Sequence, residues 1–97
     1  MKAVFIAYDQ AHAHDIIDIL DHLSLRGFTR WEQTSGRGSH DGEPHYGTHA
    51  WPSLASSILT VVPDDMAPVL LERLRALDAQ SPRLGLRAFV WDVTDAL

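Results

Sequence analysis

The order in which strand and helix patterns alternate is the feature that most restricts the fold of this chain. Residues 2–8 are short, apolar and β-rich, which predicts a buried strand. Asp9 follows as a candidate cap for a helix that runs to about Arg26 and stops at Gly27. Residues 28–35 alternate well enough to form a second strand. The predicted apolar stripe of this helix consists of Ile16, Ile17, Ile19, Leu20 and Leu23.

The second half of the chain repeats this order. Residues 54–62 are predicted to form the third strand, after which Pro63 and Asp64 open a second helix. A turn at 81–85 then leads into the last strand at 86–93. The predicted apolar face of the second helix consists of Val69, Leu70, Leu74 and Leu77.

The resulting order βαββαβ predicts an α+β, ferredoxin-like fold. In this fold a four-stranded antiparallel sheet carries both helices on one face. Ninety-seven residues correspond to one domain, so residues 1–97 are expected to form a single unit. The long loop lies between the second and third strands.

The predicted strands are apolar on both sides, which two helices cannot cover. In the last strand, alternate positions would give two apolar sets, Leu86, Ala88 and Val90 on one side and Phe89, Trp91 and Val93 on the other. Strands with one wet side should alternate apolar with polar residues. We therefore expect the uncovered sheet face to bury itself against copies of the same chain, although scattered apolar residues on a surface are normal.

The loop at 36–52 has an unusual composition that favours a functional role. Connections of this length are usually functional or disordered, and its aromatic residues argue against plain disorder. Imidazole nitrogens are good ligands for Zn²⁺, Cu²⁺ and Ni²⁺, and a carboxylate can complete the shell. The candidate metal ligands are His40, Glu43, His45 and His49. Their spacing matches neither a helical pair nor a zinc finger, so histidines that bond loop backbone or lie in solvent are the alternative.

Charge and composition exclude several other classes. The formal net charge of −5 disfavours nucleic-acid binding, which requires clustered Lys and Arg. No apolar run is long enough to cross a membrane, and we expect a cytoplasmic protein without membrane insertion. His12, His14 and His22 fall on the first helix, where the pattern indicates a solvated, acidic face.

Two segments carry a resemblance to a known family. They are GRGSHDGEPHYGTHAWP at 36–52 and GLRAFVW at 85–91, with GFT at 27–29 entering the second strand. With these elements in place, the sequence resembles the PII-like signalling proteins, and most closely the short ones found beside heavy-metal efflux transporters. The spacing of Gly36, Gly38 and Gly42 matches the glycines that open the flexible T-loop of PII proteins.

The resemblance implies a homotrimer that binds small effectors in the clefts between subunits, at the base of the T-loop. The effector-binding residues that it implies are Gly36, Arg37, Gly38, Ser39 and Arg87. Arg87 stands where PII proteins have a phosphate-binding lysine, and its guanidinium pairs well with phosphate or carboxylate. The glycines that cradle a triphosphate are missing from SPRLGLRAF at 81–89, so binding of an adenine nucleotide is left open.

The sequence thus predicts a non-enzymatic, trimeric regulator that binds an effector or a transition metal and controls a partner, for which a metal-efflux transporter in the membrane is the candidate. One alternative is a small dimeric α+β barrel enzyme in which a loop histidine acts as general base. Against this, the sequence offers no paired carboxylates and no nucleophile with a plausible base. A ligand-free adaptor whose loop docks on a transporter is the third possibility.

Overall fold

The computed structural model describes residues 1–34 and 55–97. These residues form a four-stranded antiparallel sheet and two α-helices. The strands lie in the order β2-β3-β1-β4, which confirms the predicted ferredoxin-like architecture. The elements are β1 (Lys2–Asp9), a 3₁₀ turn (Gln10–His12), α1 (Ala13–His22), β2 (Phe28–Thr34), β3 (Ala55–Val62), α2 (Met66–Gln80), a second 3₁₀ turn (Pro82–Leu84) and β4 (Arg87–Asp92). None of the helices in the described part of the chain is long and apolar enough to cross a membrane.

The core lies between the helices and one face of the sheet. In β1 and β3 the even-numbered side chains point to the helices, because Val4 pairs with Thr60 and Ile6 with Ile58 across the strands. The even-numbered apolar residues of these two strands, Val4, Ile6, Ile58 and Val62, are accordingly buried. The fully enclosed apolar side chains are Val4, Ile6, Ile16, Leu20, Ile58, Val62 and Leu70.

The first helix begins later and ends earlier than the sequence predicted. Asp9 is a capping residue, but it caps the 3₁₀ turn and not the α-helix, because its carboxylate accepts a hydrogen bond from the Ala11 N–H at 2.8 Å. At the other end, Ser24 adopts a left-handed conformation with φ 60°. The Leu25 N–H bonds the Leu20 carbonyl at 2.8 Å, which closes the helix as a Schellman motif. Gly27 is therefore not the residue that ends this helix.

The second helix buries a face that differs at one position from the prediction. Ala67, Leu70, Leu74 and Leu77 are the buried residues, at spacings of three and four. Val69 is instead 39% exposed, because it lies one position away from this stripe. The prediction that Val69 belongs to the apolar face was wrong, and Ala67 is the fourth buried residue of this helix instead.

Two buried hydroxyls attach the edge strand β2 to its neighbour. The Ser56 hydroxyl donates to the Glu32 carbonyl at 2.6 Å, and the Thr60 hydroxyl donates to the Gly27 carbonyl at 2.7 Å. The ladder between β2 and β3 is irregular between Trp31 and Thr34. These side-chain bonds attach the chain to β3 just before β2 begins and again at Glu32, within the irregular part of the ladder.

Candidate functional site

One end of the sheet gathers the positions around which the candidate site would lie. Thr34 ends β2 and Ala55 begins β3, so residues 35–54 leave and re-enter the sheet there. Asp9 pairs with Ala55, and Ala7, two residues earlier in β1, pairs with Arg87 at the start of β4. We call this the loop end of the sheet. The structure thus places Arg87 at the same end from which the predicted loop departs.

Of the predicted site residues, only Arg87 lies within the described part of the chain. Its side chain is exposed, and its guanidinium donates to the Leu86 carbonyl at 3.0 Å. The predicted effector residues Gly36, Arg37, Gly38 and Ser39 lie outside the described residues, as do the predicted metal ligands His40, Glu43, His45 and His49. Within residues 1–34 and 55–97, no group of three or more His, Cys, Asp or Glu side chains is placed to hold a metal ion.

Two buried polar side chains close to the loop end were not predicted. Tyr8 is 2% exposed and His12 is 4% exposed. The Tyr8 hydroxyl and the His12 Nε2 have no hydrogen-bond partner among the described residues. Buried polar atoms without partners are uncommon and costly. In the sequence, Tyr8 and His12 stand out only as polar residues on either side of the predicted junction between the first strand and the first helix. This is a weak indication that they are buried.

The three histidines near the first helix have different environments. His12 is buried in the 3₁₀ turn, so its prediction as part of a solvated face was wrong. His14 Nε2 lies 3.3 Å from the Asp18 carboxylate. His22 Nδ1 lies 2.7 Å from the Asp18 backbone carbonyl rather than from its carboxylate. Both of these histidines are exposed, which is what the acidic, solvated face predicted.

The Tyr8 hydroxyl has a perturbed acidity. Burial raises the pKa of Tyr8 above its ordinary value of 10.0. The unfolded chain therefore releases this proton at a lower pH than the folded chain does. The contribution of Tyr8 to stability is fully present below its ordinary pKa and is lost as the pH rises through the folded value.

We expect Tyr8→Phe to stabilise the protein by about 1 kcal/mol at neutral pH, because it removes a buried hydroxyl without a partner among the described residues. Above the ordinary tyrosine pKa the gain should grow, since only the wild type loses stability through this group. Urea unfolding of both proteins at pH 7 and at alkaline pH measures the difference. A Phe variant that is clearly less stable at pH 7 would show that the hydroxyl has a favourable partner.

The sheet face away from the helices is apolar and uncovered in the single chain. We call it the outer sheet face. Phe5 pairs with both Leu59 and Phe89, which places three large apolar residues side by side across β3, β1 and β4. The most exposed large apolar residues on this face are Phe89 (57%), Trp91 (49%), Val61 (47%) and Trp31 (45%). The predicted two-sided apolar character of the sheet is thus confirmed, and a patch of this kind marks an interaction surface.

A small cleft lies beside Arg87, on the border between α2 and β4. Its volume is about 220 Å³, and its polar lining residues are Arg75, Asp78 and Arg87. One Asp78 carboxylate oxygen is buried there without a hydrogen-bond partner among the described residues. The volume is below the roughly 300 Å³ at which pockets for drug-sized ligands begin. Within one chain, the cleft is therefore too small for a whole nucleotide.

Solved structures of similar fold decide what kind of protein this architecture represents. A nitrogen regulatory PII-like protein from Thiomonas intermedia K12, bound to ADP, AMP and bicarbonate, matches with a TM-score of 0.74 and 26% identity over 95% of this chain and 88% of that chain. The chain has the fold of the PII-like proteins. The same protein bound to ADP and bicarbonate gives a TM-score of 0.76 and 26% identity over 95% of this chain and 84% of that one. No family model matches the sequence, and no curated protein matches it significantly.

The PII-like fold also extends to a more distant protein. A protein of Thermus thermophilus, named as a PII-like signalling protein, matches with a TM-score of 0.67 and 21% identity over 95% of this chain and 85% of that chain. The resemblance seen in the sequence is thus supported at the level of the fold. The link to heavy-metal efflux transporters is not shown by these similarities and stays a prediction.

Proposed function

We propose that this protein is a non-enzymatic, cytoplasmic PII-like regulator that assembles as a trimer and binds a small effector between its subunits. The observation that carries the proposal is the PII-like fold over 95% of the chain, shared with a protein that binds ADP. The outer sheet face supports the assembly, because its exposed aromatic residues need a cover. The alternative of a dimeric α+β barrel enzyme is not favoured, since the similar structures are PII-like proteins.

The effector that we propose is an adenine nucleotide, with ADP as the first candidate. Three structures of the Thiomonas protein hold ADP together with bicarbonate. In this chain the proposed contacts are Gly36, Arg37, Gly38 and Ser39, with Arg87 at the same end of the sheet. A guanidinium presents several donors in a fixed fork, so Arg87 can bind two phosphate oxygens at once.

Calorimetry with ADP tests this proposal. We expect the wild type to bind ADP, with a change in affinity when bicarbonate is present. Arg87→Ala should weaken ADP binding at least tenfold, because charge-assisted hydrogen bonds to phosphate contribute about 1.5–3 kcal/mol. Arg73→Ala is the matched control, since Arg73 is exposed on α2, on the other face of the sheet. An absence of heat with ADP in the wild type would contradict the proposal.

We propose further that the histidines of the 36–52 loop bind Zn²⁺, Cu²⁺ or Ni²⁺, with His40, His45, His49 and Glu43 as the ligands. The chemistry of these four donors supports the proposal. Replacing the three histidines together with Ala should abolish metal binding and leave assembly intact. The double variant His14→Ala/His22→Ala, on the exposed face of α1, is the control. Unchanged metal affinity in the triple variant would remove the metal from the proposal.

Regulation would act through the surface that the protein presents to its partner. Effector binding at the loop end would favour one conformation of the 36–52 loop over others and so change that surface. A metal-efflux transporter is the partner that we propose. In this scheme the protein catalyses no reaction. It acts because its affinity for the partner differs between the effector-bound and the effector-free state.

A further inference from the structure

The cleft between α2 and β4 brings positive, negative and apolar groups together in a small volume. We call it the α2–β4 cleft. The helix contributes one stripe of residues at spacings of three and four, which are Leu71, Leu74, Arg75 and Asp78. The start of β4 and the residue before it contribute Arg87 and Leu86. Groups of three kinds therefore face one volume of about 220 Å³.

The Asp78 carboxylate lacks a donor in this cleft. One of its oxygens is buried and has no hydrogen-bond partner among the described residues. A carboxylate oxygen can only accept hydrogen bonds, and a buried one without a donor is costly. Asp78 also lies in the last turn of α2 (Met66–Gln80), where the partial negative charge of the helix end disfavours a carboxylate. A ligand that carries a positively charged donor would relieve both effects.

Two arginines line the same cleft without pairing with Asp78. The Arg87 guanidinium donates instead to the Leu86 carbonyl at 3.0 Å. Arg75 is exposed, and neither arginine forms an ion pair with Asp78 in the part of the chain that the structure describes. Two guanidinium groups repel a simple cation, and a simple anion leaves the Asp78 oxygen without a donor. The lining therefore suits a ligand that carries a carboxylate and a cationic donor close together.

We propose that the α2–β4 cleft binds a small aliphatic α-amino acid as its zwitterion. The carboxylate of the ligand pairs with Arg75 and Arg87, and its ammonium group donates to Asp78. Its aliphatic side chain contacts the leucines of the lining. The volume is below that of pockets for drug-sized ligands, which agrees with a ligand of this size. The inference goes beyond the proposed binding of ADP and does not require it, although both ligands use Arg87.

Calorimetry with L-valine and two analogues, each of which lacks one of its charged groups, tests the inference. In the absence of nucleotide, the wild type should bind L-valine at least tenfold more tightly than isovalerate, which lacks the ammonium group. It should bind L-valine at least tenfold more tightly than isobutylamine as well, because isobutylamine lacks the carboxylate. Glycine should bind more weakly than L-valine, since it has no side chain to contact the leucines.

Three variants assign the two charged ends of the ligand. Asp78→Asn should weaken L-valine binding about tenfold or more without weakening isovalerate binding, because isovalerate has no ammonium group. Arg75→Ala should weaken the binding of both ligands, since both carry a carboxylate. Glu72→Gln is the matched control and should change neither affinity, because Glu72 is an exposed carboxylate of α2 that does not line the cleft.

The outcomes separate this inference from the proposed function. If the wild type binds ADP but neither L-valine nor glycine, only the amino-acid site is overturned. Unweakened L-valine binding in Asp78→Asn, or equal losses for L-valine and isovalerate, would also overturn it. Phosphate or hydrogencarbonate that binds more tightly than L-valine and depends on Arg75 would show a site for a simple oxyanion instead. L-valine binding by a protein that binds no ADP would uphold the inference and contradict the proposed function.

Discussion

Replacing Phe89 with Asp is expected to convert the proposed trimer into monomers and to abolish the proposed binding of ADP. Phe89 is 57% exposed and lies on the outer sheet face, beside Phe5. In a trimer that buries this face, the variant places an unpaired carboxylate in each apolar interface. An uncompensated buried charge costs several kcal/mol, which exceeds the net stability of many interfaces at micromolar concentration. Light scattering measures the mass, and calorimetry measures ADP binding.

A matched substitution keeps this prediction specific to the outer face. Val69 is also an exposed apolar residue, but it lies on α2, on the other side of the sheet. Val69→Asp should therefore leave both the mass and the ADP affinity unchanged. A Phe89→Asp protein that keeps the mass of the wild type would show that the outer sheet face is not the interface.

The second large effect concerns the core, where adjacent residues of α2 should respond very differently. Leu70 is fully buried and Val69 is 39% exposed. Leu70→Ala should lower the free energy of unfolding by about 3 kcal/mol, because it removes buried methyl groups and leaves a cavity. Val69→Ala should change it by no more than about 0.5 kcal/mol. Urea unfolding at one fixed protein concentration compares the two variants.

The same pair of variants distinguishes the observed register of α2 from the predicted one. The apolar character of Val69 suggested that it belongs to the apolar face. If it did, Val69→Ala would lower the free energy of unfolding by roughly 1 kcal/mol or more, as the loss of a buried methyl group does in a core. Comparable losses for the two variants would contradict the structure of this helix. The two registers predict different results because Val69 lies beside the buried stripe formed by Leu70, Leu74 and Leu77 and is not part of it.

The fold could be predicted from the sequence because its local signals agree with one another. The strand patterns, the apolar stripes of the helices and the order βαββαβ all indicate one architecture. The apolar residues on both sides of β4 correctly indicated that one face of the sheet is not covered by the helices. The end of α1 could not be predicted in the same way. Ser24 adopts φ 60°, which sequence preferences assign to glycine, so the signal at Gly27 was misleading.

The candidate site was predictable only in part, for physical reasons. The chemistry of Arg87 made it a candidate for anion binding, but its position at the loop end depends on the pairing of Ala7 with Arg87. The position of Trp31 opposite Ser57 likewise depends on the pairing of β2 with β3, and β2 departs from a regular register after Trp31. A shift of one residue moves every side chain of a strand to the other face, so such an alignment has no signal in the sequence.

The mass of the wild-type protein in solution is the most direct test of the central claim, that the outer sheet face is buried between copies of the chain. Native mass spectrometry reports this mass together with any retained ligand. The account predicts a species three times the 10.8 kDa mass of the chain. A stable monomer of 10.8 kDa at micromolar concentration, with the outer sheet face exposed to water, would contradict it.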